Sequence, residues 1–135
     1  MTGWPDPVAG STSAPARILL VDDEEALVRA IARVLMSGGY EVATAGDGRR
    51  AAELLAHTSF DAVVSDIDMP KMNGVQLLQT VRQLDLDVPV ILMTGDPGLT
   101  TAMQAVALGA FRYLTKPIDQ GRLRNALVGP RHDGS

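Results

Sequence analysis

Residues able to hold a metal ion and a phosphoryl group stand at the ends of four short apolar segments of this sequence. Asp22 and Asp23 follow the first of these segments, and Asp66 follows another. Thr94 and Lys116 come after two more. Clustered carboxylates with no histidine or cysteine nearby suit a hard cation, Mg²⁺ or Mn²⁺, and a carboxylate can attack phosphorus to become an acyl phosphate. A cation, a hydroxyl and an ammonium can each hold one phosphoryl oxygen, so these residue types are typical of phosphoryl transfer.

The apolar segments themselves predict the strands of a parallel sheet. Residues 18–21, 62–65 and 88–93 form compact runs with β-branched residues, as expected for strands buried on both faces. The segment 40–44 alternates and the segment 112–114 is short and mixed, so both suit edge strands. The sequence therefore predicts three central and two peripheral strands.

Helical patterns lie between these strands and complete the fold prediction. The stripe of apolar residues in 27–35 ends at Gly38 and Gly39, and similar stripes occur in 51–55, 77–84 and 99–107. A weaker stripe, Leu123 and Leu127, is followed by Gly129 and Pro130. Parallel strands need helical crossovers, which are right-handed. The prediction is an α/β fold, a (βα)5 doubly wound parallel five-stranded sheet of flavodoxin-like type, with strand order 2-1-3-4-5.

This fold brings the polar residues together, because the carboxyl ends of parallel strands lie on one edge, where open α/β sheets bind ligands. Asp66 is the best candidate for the nucleophile, since its strand is central and flanked on both sides. Each residue also has a simpler explanation: helix capping for the first acids, a turn for Asp66, a cap for Thr94 and a solvated surface charge for Lys116. The chain uses arginine ten times and lysine only twice, however, which suggests that position 116 needs a compact ammonium.

Composition limits the protein class. The chain has 135 residues, enough for one domain, and no cysteine, which excludes disulfide scaffolds and thiolate metal sites. Twelve basic against sixteen acidic residues make direct contact with nucleic acid unexpected, and no apolar run approaches a membrane span. We expect a cytoplasmic domain at residues 17–128, with a disordered lead at 1–16 and a tail at 129–135.

Four sequence segments in this order resemble the receiver domain of bacterial two-component response regulators, including the chemotaxis-regulator type. They read ILLVDDEE, DAVVSDIDMPKMNG, PVILMTGD and GAFRYLTKP, and the resemblance covers residues 16–128. It implies a phosphorylation switch in which Asp66 is the phosphoacceptor. It also implies that Asp22 and Asp23 hold Mg²⁺, with Mn²⁺ as a substitute, and that the residue at position 68, Asp68, lends its backbone carbonyl to the metal.

The same resemblance implies roles for residues later in the chain. Thr94 matches the switch hydroxyl, Lys116 the phosphate-binding lysine, and Tyr113 the aromatic residue whose position reports the switch. The bond between Lys116 and Pro117 matches one that is usually cis in the family, a form largely confined to proline.

The resemblance also implies partners and leaves alternatives open. The phosphoryl donor would be a sensor histidine kinase or a histidine phosphotransfer protein, and the domain would catalyse only its own phosphorylation and dephosphorylation. Signal output would run to an output domain or a homodimer through the fourth helix, fifth strand and fifth helix. The chain is either a stand-alone receiver or a fragment of a longer regulator.

The main alternative is a haloacid dehalogenase-like phosphatase with Asp66 as nucleophile. A flavin- or nucleotide-binding module and an interaction domain without phosphorylation are weaker alternatives.

Overall fold

The structure is a computed structural model, and it describes residues 15–67, 69, 73–84, 87–95, 107 and 109–128. Five parallel strands form one sheet in the order β2-β1-β3-β4-β5, which confirms the predicted topology. The strands are β1 (Arg17–Val21), β2 (Glu41–Ala45), β3 (Ala62–Asp66), β4 (Val90–Thr94) and β5 (Arg112–Thr115). The helices in the described residues are α1 (Glu25–Ser37), α2 (Gly48–His57), α3 (Gly74–Gln83) and α4 (Gln120–Val128).

The three central strands are the buried ones, as their composition predicts. Every residue of β3 and β4 is buried, and in β1 only Arg17 is exposed. The edge strands β2 and β5 consist of exposed and partly buried residues, apart from the buried Ala45 at the end of β2. Continuous apolar runs therefore indicate the middle of the sheet, because a strand with a neighbour on each side and helices on both faces keeps its residues away from water.

Alternate residues of the strands divide the core into two clusters, one on each face of the sheet. One cluster joins Val63 and Leu92 to residues of α2 and α3 such as Leu55 and Leu77. The other joins their strand neighbours to residues of α1 and α4 such as Leu35 and Leu127. The weakly patterned last helix thus forms, because three of its residues, Leu123, Ala126 and Leu127, are buried in the second cluster.

Local signals account for where several elements begin and end. Gly39, which follows the end of α1, has φ 95°, a conformation that glycine adopts without strain. The prediction that the fourth strand begins at residue 88 is wrong, since β4 begins at Val90. Pro89 has no N–H to donate to a ladder, although its carbonyl still accepts from Val63 at 2.9 Å.

Some predictions fall on residues that the structure does not describe. The predicted fourth helix at 99–107 lies outside the described residues except for Ala107, which is helical. Most of the lead (residues 1–14) and the whole of the predicted tail at 129–135 also lie outside, so the domain boundaries stay predictions. Within the described residues, no helix combines the length and apolar character that a membrane crossing needs.

Candidate functional site

The three central strands deliver three polar residues to one edge of the sheet. Asp22 directly follows β1, Asp66 is the last residue of β3, and Thr94 is the last residue of β4. All three are buried, at 2%, 3% and 0% exposure. In the register of the sheet Asp66 pairs with Met93, so Thr94 lies one residue further along the neighbouring strand. The expected convergence at the carboxyl edge is therefore present in the structure.

Asp22 is fixed through both oxygens of its carboxylate. Oδ1 accepts a hydrogen bond from the backbone N–H of Glu24 at 2.9 Å, and Oδ2 accepts one from Nζ of Lys116 at 3.1 Å. Its own backbone N–H donates to the carbonyl of Ala45 at 3.1 Å. A buried carboxylate held at both oxygens has little freedom to move, which suits a residue that must keep a fixed position in a site.

Side-chain capping of α1 explains neither Glu24 nor the contact of Asp22 with Lys116. The N-cap of α1 is Glu24, and its side chain makes no capping hydrogen bond. The carboxylate of Asp22, two residues before Glu24, accepts a hydrogen bond from the Glu24 N–H and also contacts Lys116. A capping role does not require the contact with Lys116, and the functional role of these acids stays a prediction.

Lys116 connects two of the strand ends. Its Nζ lies 3.1 Å from Oδ2 of Asp22 and 3.2 Å from Oδ1 of Asp66, and its side chain is 20% exposed. Its backbone N–H donates to the carbonyl of Thr94 at 2.7 Å. The lysine is therefore not a solvated surface charge. The peptide bond that joins it to Pro117 is cis, as the resemblance implied.

The surroundings of Lys116 favour the charged form of its side chain. Burial of the ammonium acts to lower its pKa, but the hydrogen bonds and charges of Asp22 and Asp66 outweigh burial, so the pKa of Lys116 is raised. The ammonium is consequently present throughout the neutral pH range. It supplies a positive charge at the point where two buried carboxylates meet.

A group of three carboxylates at this edge has the composition of a hard-cation site. One oxygen from each of Asp22, Asp23 and Asp66 lies within 4.8 Å of the other two, with Asp23 exposed and the others buried. Such a set of oxygen donors, open to water on one side, fits Mg²⁺ or Mn²⁺. The backbone carbonyl expected from Asp68 lies outside the described residues.

Tyr113 lies on β5, beside the strand that carries Thr94. It pairs with Leu92 in the sheet register, is partly buried, and packs against the core cluster on the α2 and α3 face. Its hydroxyl is buried. The structure thus places Tyr113 on β5, the strand that leads into Lys116 and pairs with the strand of Thr94, and its role as a switch residue stays a prediction.

Sequence reasoning missed two residues that contact the backbone of Asp66. The hydroxyl of Ser65 donates to the carbonyl oxygen of Asp66 at 3.0 Å. Gly74, at the start of α3, lies so close to the same carbonyl that a Cβ atom would be 2.6 Å from it. A signal for Ser65 existed, because a hydroxyl in an otherwise aliphatic buried strand needs a hydrogen-bond partner.

Comparison with known proteins supports the same interpretation as the geometry. The sequence profile of the response regulator receiver domain matches residues 18–128. The chain belongs to the response regulator receiver domain family. Members of this family work in two-component signalling and are phosphorylated on an aspartate. The haloacid dehalogenase-like alternative loses its support with this assignment.

The relatives of this receiver domain include longer regulators and single domains. The chain is 36% identical over 113 residues to the transcriptional regulatory protein GlrR of Escherichia coli, covering 84% of this chain and 26% of the relative. It is 40% identical over 107 residues to the regulatory protein AtoC of the same organism, covering 79% and 23%. The chemotaxis protein CheY4 of Vibrio cholerae superposes with a TM-score of 0.80 at 32% identity, covering 84% and 97%. The chain thus spans about a quarter of the two curated relatives named here.

Proposed function

We propose that this receiver domain accepts a phosphoryl group on Asp66 from a phosphohistidine of a sensor histidine kinase or a histidine phosphotransfer protein. The observation that carries the proposal is the ion-pair triad in which the partly buried Lys116 contacts the buried carboxylates of Asp22 and Asp66. An acceptor needs a positive group that can hold a developing phosphoryl oxygen, and Lys116 already lies beside the Asp66 carboxylate.

The transfer would exchange one bond to phosphorus for another. A carboxylate oxygen of Asp66 attacks the phosphorus atom, the new P–O bond of an acyl phosphate forms, and the N–P bond of the donor breaks. The imidazole leaves with the electron pair of that bond and takes up a proton. Later attack by water on the acyl phosphate would restore Asp66 and release inorganic phosphate. The protein would thus catalyse its own phosphorylation and dephosphorylation.

The residues around the acceptor have separate tasks in this proposal. Asp22 and Asp23 would hold Mg²⁺ together with Asp66 and the backbone carbonyl of Asp68. When bound, the cation would neutralise negative charge on the phosphoryl oxygens and relieve repulsion among the carboxylates. Lys116 would hold another phosphoryl oxygen by its ammonium.

The test is phosphorylation with acetyl phosphate and Mg²⁺, followed by mass spectrometry of the intact protein and its peptides. The wild type should gain one phosphoryl group on Asp66. Asp66→Asn should gain none, because an amide is a poor nucleophile. Asp87→Asn is the matched control, since Asp87 is exposed and precedes the opposite end of β4. Labelling at another residue, or no labelling of the wild type with any of several donors, would contradict the proposal.

We further propose that the state of Asp66 reaches the surface through Thr94 and Tyr113. A phosphoryl oxygen on Asp66 would attract the hydroxyl of Thr94, which ends the neighbouring strand. Movement of Thr94 would open space toward Tyr113 on β5, and phosphorylation would shift the population between two arrangements. NMR spectra with and without a phosphoryl mimic should differ at Thr94 and Tyr113. Unchanged signals at both residues would contradict this route.

The proposed output surface is the one predicted from the sequence, formed by the fourth predicted helix, β5 and α4. It would contact an output domain or a second copy of the chain. The fourth predicted helix, including Met103, lies outside the described residues except for Ala107, so this surface stays a prediction. The regulators named above are transcriptional, and in a longer chain we assign nucleic-acid contact to another domain rather than to this acidic one. A cytoplasmic location likewise stays a prediction.

A further inference from the structure

The residue before the acceptor is a buried serine in an aliphatic strand. Ser65 has 0% exposure, and the preceding residues of β3 are Ala62, Val63 and Val64. Its hydroxyl donates to the carbonyl oxygen of Asp66 at 3.0 Å. An alanine or valine would pack in this core without any need for a polar partner, whereas a buried hydroxyl is unfavourable unless it is hydrogen-bonded. The serine therefore points to a role in holding the Asp66 carbonyl.

The first residue of α3, Gly74, packs closely against the same peptide. A Cβ atom on Gly74 would lie 2.6 Å from the carbonyl oxygen of Asp66 and 2.9 Å from the Cα of Ile67. The N–H of Gly74 donates to the carbonyl of Ile67 at 3.1 Å, and the N–H of Ile67 donates to Met93 at 2.8 Å. The peptide that joins Asp66 to Ile67 is thus held by a side chain, a neighbouring strand and a helix.

We propose that Ser65 is a positioning residue for the acceptor site, acting through the backbone of Asp66. The Ser65 hydrogen bond and the close approach of Gly74 together orient the peptide between residues 66 and 67. That peptide fixes where the Asp66 carboxylate leaves the strand and therefore where it meets the carboxylates of Asp22 and Asp23. The inference rests on the proposed function, because it concerns the geometry of the Mg²⁺ site assigned there.

Removal of the Ser65 hydroxyl should weaken Mg²⁺ binding while the protein stays folded. Metal and phosphoryl sites tolerate only small displacements of their ligands, so freedom in this peptide should weaken cation binding. We expect Ser65→Ala to bind Mg²⁺ about three- to tenfold more weakly, the range for a lost hydrogen bond of typical strength. Phosphorylation by acetyl phosphate should slow at low Mg²⁺ and return close to the wild-type rate at saturating Mg²⁺.

The matched control is Ser37→Ala. The hydroxyl of Ser37 also donates to a backbone carbonyl, that of Val34 at 2.8 Å, but it lies exposed at the end of α1. This variant should bind Mg²⁺ like the wild type. Ser65→Cys, which keeps a side chain of similar size and a weak donor, should fall between the wild type and S65A. A purely structural role for Ser65 would not produce this order of Mg²⁺ affinities.

A second measurement does not depend on metal. In metal-free protein, S65A should shift the NMR amide signals of Ile67 and Gly74 and speed their hydrogen exchange, while Ser37→Ala should leave them unchanged. Wild-type Mg²⁺ binding with equal affinity in S65A would overturn the inference and leave the proposed function intact. A wild type that binds no Mg²⁺ would overturn the proposed metal site and this inference with it. Unchanged Ile67 and Gly74 amides in S65A would also overturn the inference.

Discussion

Replacing Lys116 by methionine tests whether the ammonium is the internal counter-charge of the site. The substitution keeps a long unbranched side chain and removes only the charge and its donors. Asp22 and Asp66 would then remain buried and close together without the cation that lies 3.1 and 3.2 Å from them. We therefore expect Lys116→Met to destabilise the protein when no divalent ion is present.

The size of this effect follows from the contact distances and the burial. Each contact at these distances is worth about 5 kcal/mol of gross attraction at an effective dielectric constant of ~20. Burial of the ammonium opposes this attraction, and a hydrogen bond to a charged group contributes about 1.5–3 kcal/mol net. Removing one partner of a buried pair costs about 3–5 kcal/mol, and Lys116 keeps 20% exposure. We expect a loss of about 3 kcal/mol in the free energy of unfolding.

Urea unfolding in EDTA and in saturating Mg²⁺ measures this loss. With a slope of about 1–3 kcal/mol per molar urea, the midpoint in EDTA should fall by roughly 1–3 M. Mg²⁺ should recover part of the loss, and Lys116→Met should bind the ion more tightly than the wild type, since the competing ammonium is gone. Arg50→Met is the control, because its pair with Glu53 at 3.3 Å is exposed and should contribute under about 1 kcal/mol. Equal losses in the two variants would refute the assigned role of Lys116.

Three further predictions use the same unfolding assay. The raised pKa of Lys116 means that its stabilisation is complete below about pH 10.5 and is lost as pH rises through the folded-state value. The difference between wild type and Lys116→Met in EDTA should therefore stay constant from neutral pH to pH 9 and shrink only above pH 10.5, and a change near pH 7 would contradict it. Asn73→Ala should lose about 1 kcal/mol, because Asn73 and Gln76 form the capping box of α3, whereas Thr80→Ala in the same helix should lose less. Saturating Mg²⁺ should raise the wild-type midpoint by mass action, and a similar rise in Asp22→Asn would argue against the assigned ligand.

The sheet could be predicted from the sequence because local composition reports burial. After the exposed Arg17 at the start of β1, the runs 18–21, 62–64 and 90–93 are entirely apolar and buried, which is typical of central strands. The stop of α1 was equally local, since Gly38 and Gly39 favour termination. The start of β4 was missed because Val88 extends the apolar run, whereas the absent N–H of Pro89 decides where the ladder begins.

The contacts within the site could not be predicted from local sequence patterns. The strand ends predicted which residues would meet, but not that Lys116 would contact Asp22 and Asp66 at nearly equal distances. The contact between Gly74 and the Asp66 carbonyl depends on how α3 returns to the end of β3, which is a property of tertiary packing. Neither contact produces a repeating pattern of residue types from which it could be predicted.

The position of Lys116 suggests how one charge can serve both states of the proposed switch. In the structure its ammonium contacts both Asp22 and Asp66, and its backbone N–H donates to the carbonyl of Thr94 at 2.7 Å. Phosphorylation would replace the Asp66 carboxylate by a group with more negative charge and more acceptor oxygens. The ammonium would then gain by following the phosphoryl oxygens, while Asp22 would turn to the metal. Since the backbone N–H of Lys116 is hydrogen-bonded to Thr94, whose hydroxyl is the proposed switch group, this change of partner and the movement of Thr94 would favour the same arrangement. Lys116→Met should therefore still accept the phosphoryl group, more slowly, but show a smaller change at Thr94 than the wild type in NMR spectra at equal phosphorylation.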